Sequence, residues 1–84
     1  MSTISILLFA TAREAVGSSS LRRAIPRQGT SLAELLESLR TEYPRLGPII
    51  KISRIVRNGS YVAHTRIRIR PGDEIAIHPP YSGG

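Results

Sequence analysis

The chain has no cysteine and no tryptophan, and only one phenylalanine, one methionine and one lysine. Without cysteine there is no disulfide framework, no thiolate zinc site and no cysteine nucleophile, which fits a reducing compartment. One Phe and three Tyr leave few platforms on which nucleic-acid bases can stack. Long apolar runs are also missing. The run from Ile4 to Ala10 is too short for a membrane span or a signal peptide, and no basic region precedes it. The expectation is a soluble, untargeted, intracellular protein with no membrane partner. The seven glycines never form the G-x-x-x-x-G-K pattern that cradles phosphate. His64 and His78 lack a spaced carboxylate or a second ligand, so no metal site is expected. Asp73-Glu74 could be an acid pair, but turn chemistry after Pro71-Gly72 accounts for the aspartate.

Arginine is plentiful. Eleven Arg and one Lys against six acidic residues give a net charge of +6. Such a balance is an electrostatic footprint for nucleic acid, or equally a solvated arginine surface or a basic face for an acidic protein. The scarce aromatics disfavour nucleic acid. Arg66, Arg68 and Arg70 line one side of an alternating segment. Edge protection explains them, with contact to an acidic partner as the alternative.

An 84-residue chain buries only ~60–65% of its unfolded surface, enough for one core and no deep active site. Thr3 to Ala12 reads as a first strand, with Ile4, Ile6 and Leu8 on one face and Leu7 and Phe9 on the other. After a turn at Val16-Gly17-Ser18-Ser19, Ser20 to Ile25 reads as its antiparallel partner. Thr30-Ser31 opens the clearest helix. Ser31 and Glu34 have capping-box spacing, and Leu32, Leu35, Leu36, Leu39 and Tyr43 form one apolar stripe at the helical period. Pro44 stops it. Arg45 to Lys51, with Gly47-Pro48, reads as a connection whose Ile49 and Ile50 tuck under the helix. Ser53 to Arg57 and Ser60 to Ala63 flank Asn58-Gly59, the strongest hairpin signal in the chain. Thr65 to Arg70 reads as another strand, Pro71-Gly72-Asp73 as a tight turn, and Glu74 to His78 as the last strand with Ile75 and Ile77 inward. The predicted order is β-β-α-β-β-β, an α+β fold. If the two most apolar strands, first and last, lie side by side, it is the β-grasp (ubiquitin-like) fold, a mixed sheet with one helix packed across it.

The expected domain spans residues 1–78, and residues 79–84 form a flexible tail, Pro79-Pro80-Tyr81-Ser82-Gly83-Gly84. Proline favours an extended backbone and glycine imposes almost no shape. Extended at ~3.3 Å per residue, the arm reaches on the order of 20 Å. Its tip is thin enough for a narrow channel. A disordered glycine-containing terminus is the plain alternative; against it, an apolar strand runs directly into two prolines and then two glycines.

The stretch GDEIAIHPPYSGG, Gly72 to Gly84, resembles the C-terminal signature of the molybdopterin synthase small-subunit family. Leu8-Phe9-Ala10 and Ala12-Arg13-Glu14 are similar to that family's first strand, and the leucine helix and Val56-Arg57-Asn58-Gly59 fall where the family has them. The resemblance implies a cytoplasmic β-grasp sulfur carrier in a heterotetramer with the large synthase subunit. It implies that an ATP-consuming, ubiquitin-activating-like adenylyltransferase adenylates the Gly84 carboxylate. A sulfur donor protein then converts it to a thiocarboxylate, which donates sulfur to cyclic pyranopterin monophosphate. ATP belongs to the activating enzyme; no cofactor is expected on this chain, and catalytic residues are expected on the large subunit. Gly84 is thus the reacting residue and Gly83 gives clearance, with Ser82, Tyr81, Pro80 and Pro79 completing the tail. Phe9, Arg13, Tyr61 and His78 are the implied partner-binding residues, although Phe9 could simply be core.

The same tail chemistry serves other acceptors, among them thiamine's thiazole, a transfer RNA base and an amino acid; Pro79-Pro80 favours the pterin branch. A protein modifier attached through Gly84 is a different class of function. A nucleic-acid-binding module is a third, predicting steep salt dependence and no use for the terminal glycines.

Overall fold

In the computed structural model, which describes residues 2–80, strand β1 (Thr3–Leu8) alternates strictly. Ile4, Ile6 and Leu8 are buried while Ser5 and Leu7 stay half-buried. Strand β2 (Ser20–Ala24) pairs antiparallel with it, Ile6 opposite Leu21. On its other side lies β7 (Glu74–His78), parallel, with Ile6 beside Ile75 and Leu8 beside Ile77. Strand β4 (Arg54–Arg57) pairs antiparallel with β7, and β5 (Ser60–Tyr61) with β4. The sheet order is β2-β1-β7-β4-β5. First and last strands do lie side by side, and the architecture is the β-grasp.

Among the described residues three helices, not one, accompany the sheet. The first strand does not run to Ala12. It ends at Leu8, and Ala10–Val16 form α1, closed by Gly17 in the left-handed conformation (φ 85°) with its N–H on the Arg13 carbonyl at 2.8 Å. The stretch Ala12-Arg13-Glu14-Ala15 is rich in good helix formers, and Ala12 is fully buried. Helix α2 (Leu32–Glu42) is capped by Ser31, whose Oγ accepts the Glu34 N–H at 3.1 Å. Its leucines Leu32, Leu35, Leu36 and Leu39 are all buried, as their spacing requires. Residues 45–51, read as a connection, belong largely to α3 (Leu46–Ile52). Gly47-Pro48 does not break it, because Pro48 sits in the first turn, where a missing N–H costs nothing.

The arginine-lined segment also departs from the sequence reading. Only β6 (Arg68–Ile69) is a strand, and it pairs with β3 (Thr30–Ser31) away from the main sheet. The carbonyls before it serve helix α2 instead. Ile67 accepts the Leu32 N–H at 3.0 Å and Thr65 the Ala33 N–H at 2.9 Å, satisfying donors that a helix start leaves free. The alternation itself is real: Ile69 is buried and Ile67 half-buried, with Arg66, Arg68 and Arg70 exposed. Gly29 makes the close approach possible. It has φ +92°, and a Cβ there would lie 2.5 Å from the Ile69 carbonyl oxygen.

The core sits between the inner sheet face and the helices. Ile4, Ile6, Leu8, Ile75 and Ile77 meet the α2 leucines, with Leu46, Ile50, Ala12 and Ile69 closing the sides. Each fully buried Ile or Leu contributes roughly 1.5–3 kcal/mol by leaving water. Among the described residues no helix is long and apolar enough to cross a membrane.

Candidate docking face at the root of the tail

Among the described residues no helix covers the other face of the same sheet. Pairing places Leu7, Ala76, Val56 and Tyr61 in one row across β1, β7, β4 and β5, with His78 and Arg54 in the next. The second row lies at the end of β7, where the strand passes into Pro79-Pro80.

Phe9 follows the last residue of β1. It is the N-cap of α1 and keeps an extended backbone (φ −124°, ψ 153°), so the strand's alternation still carries its ring outward. Ala10, next in the chain, takes φ 51°, a conformation costing roughly 1 kcal/mol in a non-glycine residue. The strained corner turns the chain sharply while Phe9 stays on the open face. Its ring stacks on the His78 imidazole, centroids 4.3 Å apart and planes 11° from parallel. Phe9 remains 42% exposed, which excludes a core role.

Tyr61 is positioned by the turn before it. Asn58 and Gly59 both have positive φ, 49° and 86°, the signature of a type I′ hairpin turn. Asn58 Oδ1 accepts the Glu74 N–H at 2.8 Å, and Asn58 Nδ2 donates to Asp73 Oδ1 at 3.0 Å. Asp73 Oδ2 accepts the Arg70 N–H at 2.9 Å. The aspartate is therefore turn chemistry, as its sequence context indicates, and it ties the hairpin to the start of β7. Tyr61 projects 70% exposed, with the Arg54 guanidinium 5.4 Å from its ring centroid, a cation–π geometry.

Phe9, His78 and Tyr61 are thus placed on one face. A first strand running to Ala12 would put Arg13 at its end, but β1 stops at Leu8. Arg13 lies one turn into α1, exposed, its N–H 3.4 Å from the Phe9 carbonyl. Among the described residues no ion pair engages it. Two contributors escaped the sequence reading. Arg54 shares the phase of Val56 and faces His78 only because β4 pairs with β7, a pairing no local pattern reveals. Ile52, 64% exposed, falls between the expected connection, Arg45 to Lys51, and the expected strand from Ser53, and closes α3 instead. Together Ile52, Arg54, Tyr61, His78, Pro79 and Pro80 line a shallow cleft of about 280 Å³. Its walls mix the apolar surfaces of Ile52, Tyr61, Pro79 and Pro80 with the Arg54 guanidinium and the His78 imidazole, a lining suited to the side chains of a partner rather than to a reaction. Tyr81, Ser82, Gly83 and Gly84 lie outside the described residues. Among the described residues no cluster of three metal-ligating side chains occurs.

Comparison with known proteins agrees with this architecture. The molybdopterin synthase sulfur carrier subunit of Dictyostelium discoideum is 35% identical over 80 residues, covering 94% of this chain and 93% of that protein. The small archaeal modifier protein 1 of Methanosarcina acetivorans is 30% identical at a TM-score of 0.81, covering 100% of this chain and 98% of that one. A chain from the complex of subunits 1 and 2 of molybdopterin-converting factor from Helicobacter pylori shares the fold at a TM-score of 0.70 and 18% identity, covering 98% and 99%. The ThiS family model matches residues 6–84, and the chain belongs to the ThiS family.

Proposed function

We propose that this chain is the sulfur carrier subunit of a molybdopterin synthase, acting in the cytoplasm and docking through its open sheet face. The observation that carries the reading is the tail root. A central strand, held on both sides, delivers Pro79-Pro80 beside an exposed aromatic stack. A carrier must be gripped near its reacting end without the grip blocking that end, and this arrangement supplies such a handle. The name of the Dictyostelium relative supports the sulfur acceptor, and the Helicobacter complex supports a larger partner subunit.

The chemistry proposed for Gly84 balances simply. Its carboxylate oxygen attacks the α-phosphorus of ATP in an activating enzyme, and pyrophosphate leaves. A persulfide-type sulfur donor attacks the acyl carbon of the mixed anhydride, and AMP leaves. A second thiol of the donor protein then attacks the donor-side sulfur of the resulting acyl disulfide; the S–S bond breaks, a disulfide forms on the donor, and the thiocarboxylate leaves. Glycine at positions 83 and 84 keeps the acyl carbon open to the sulfur. Cyclic pyranopterin monophosphate is the proposed acceptor, with catalytic groups on the large subunit.

The test incubates the chain with ATP, an activating enzyme and a sulfur donor, then takes the intact mass. The expected gain is the difference between one sulfur and one oxygen, abolished by deleting Gly84. No gain, or a gain that survives the deletion, overturns the proposal. A second reading is favoured by the Methanosarcina modifier protein: attachment to partner lysines through Gly84. Isopeptide-linked adducts in place of the sulfur gain would establish it.

A further inference from the structure

A cavity larger than the tail-root cleft lies on the helix side of the sheet. It is a groove of about 580 Å³ between α2, α3 and the segment after β5, within the size range of ligand pockets. Its floor is aliphatic, built from Leu32, Leu36, Ile50, Ile55 and Val62. Arg40, Lys51, Arg54 and His64 stand around it, and among the described residues no Asp or Glu lines it. One acid lies close by: Glu37, whose Oε2 is 3.3 Å from Arg40 Nη1. Lys51 has no ion-pair partner among the described residues. The groove also continues into the tail-root cleft, because Arg54 and Tyr61 line both.

We propose that this groove binds an extended acidic segment of a partner protein, its aliphatic side chains on the floor and its carboxylates against Arg40, Lys51 and Arg54. The charge of the rim selects the sign of the ligand. The apolar floor selects against a bare anion, which gains nothing from aliphatic contact. Continuity with the cleft selects an extended chain over a compact molecule, since a protein docked at the tail root already lies beside the groove mouth. The inference rests on the reading of the open sheet face as a docking surface. It adds a second point of attachment on the helix side of the sheet and gives the excess positive charge of the chain a purpose.

The experiment titrates the full isotope-labelled chain with a capped synthetic peptide of alternating Glu and Leu, followed by amide NMR. The expected result is saturable shifts at Leu36, Ile50, Lys51, Val62 and Thr65 that weaken as salt rises. A peptide of alternating Lys and Leu should leave these amides unmoved. The combined Arg40→Glu and Lys51→Glu variant should bind about tenfold more weakly, with its own spectrum reporting that it is folded. If that variant fails to fold, the salt series and the Lys-Leu peptide still decide. Shifts confined to Phe9 and His78, or equal binding of both peptides, overturn the proposal. So does free hexanoate, if it shifts the same amides to the same extent at the same concentration, which would make the groove a small-anion pocket. No ATP, activating enzyme or sulfur enters the titration. Its failure therefore leaves sulfur loading untouched, and a chain that never gains sulfur leaves the titration untouched.

Discussion

The two faces of one sheet differ sharply in how they are covered. On the inner face Ile4, Ile6, Leu8, Ile75 and Ile77 are each no more than 1% exposed, locked under α2 and α3. On the outer face Phe9 and Tyr61 are 42% and 70% exposed, Phe9 stacked on His78 and Tyr61 beneath the Arg54 guanidinium. Leu8 and Phe9, neighbours in the chain and alike in apolar character, thus go one into the core and the other onto the open face. Stability and recognition can then be altered separately, and substitutions should sort by face.

The largest effect on folding should come from the inner face. Ile77→Ala removes a fully buried side chain from the central strand and should cost about 2–5 kcal/mol in denaturant unfolding, with sulfur loading of the folded fraction unchanged. Next is Gly29→Ala. Its positive φ and the 2.5 Å approach of the Ile69 carbonyl should together cost roughly 2 kcal/mol, because the β3–β6 pair seals one side of the core. Asn58→Gly is smaller. It keeps the turn conformation and removes two hydrogen bonds to the start of β7, so about 1 kcal/mol is expected; a larger loss would mean that the hairpin also orders Tyr61. Smallest is Tyr61→Ala, which should stay within about 0.5 kcal/mol of the parent yet slow partner docking. Were Tyr61→Ala strongly destabilising, the contrast between the faces would fail.

The inner face was legible in the sequence because it rests on repetition. Period-2 alternation in β1 and β7 and the leucine stripe of α2 identify buried positions without any knowledge of partners, and Asn58-Gly59 announces its own turn. What escaped depends on contacts between distant segments. Leu7-Leu8-Phe9-Ala10 is continuously apolar, so the pattern alone extends the strand through Ala12, and nothing local marks the left-handed corner at Ala10. Helix α3 was masked by Gly47-Pro48, residues that break a helix in its middle but not in its first turn. The segment from Thr65 to Arg70 has a strand's alternation, but its carbonyls at Thr65 and Ile67 go to α2. The docking face was half visible. Phe9, Tyr61 and His78 followed from phase and from resemblance, whereas Arg54 joined them only through the β4–β7 register. The tail beyond Pro80 lies outside the described residues, so its role rests on its chemistry and on the family.

The central claim is that the aromatic stack at the tail root serves docking rather than folding. It is tested most directly by measuring unfolding and the rate of sulfur loading on the same preparation of the Phe9→Ala, His78→Ala double variant. The stack is worth about 0.5–1.5 kcal/mol as an aromatic pair, so the unfolding free energy should fall by about 1 kcal/mol. Loading at limiting activating enzyme should fall about tenfold or more, as loss of an interface anchor predicts. A variant that loads sulfur at the parent rate, or one that loses loading only because it no longer folds, would contradict the claim.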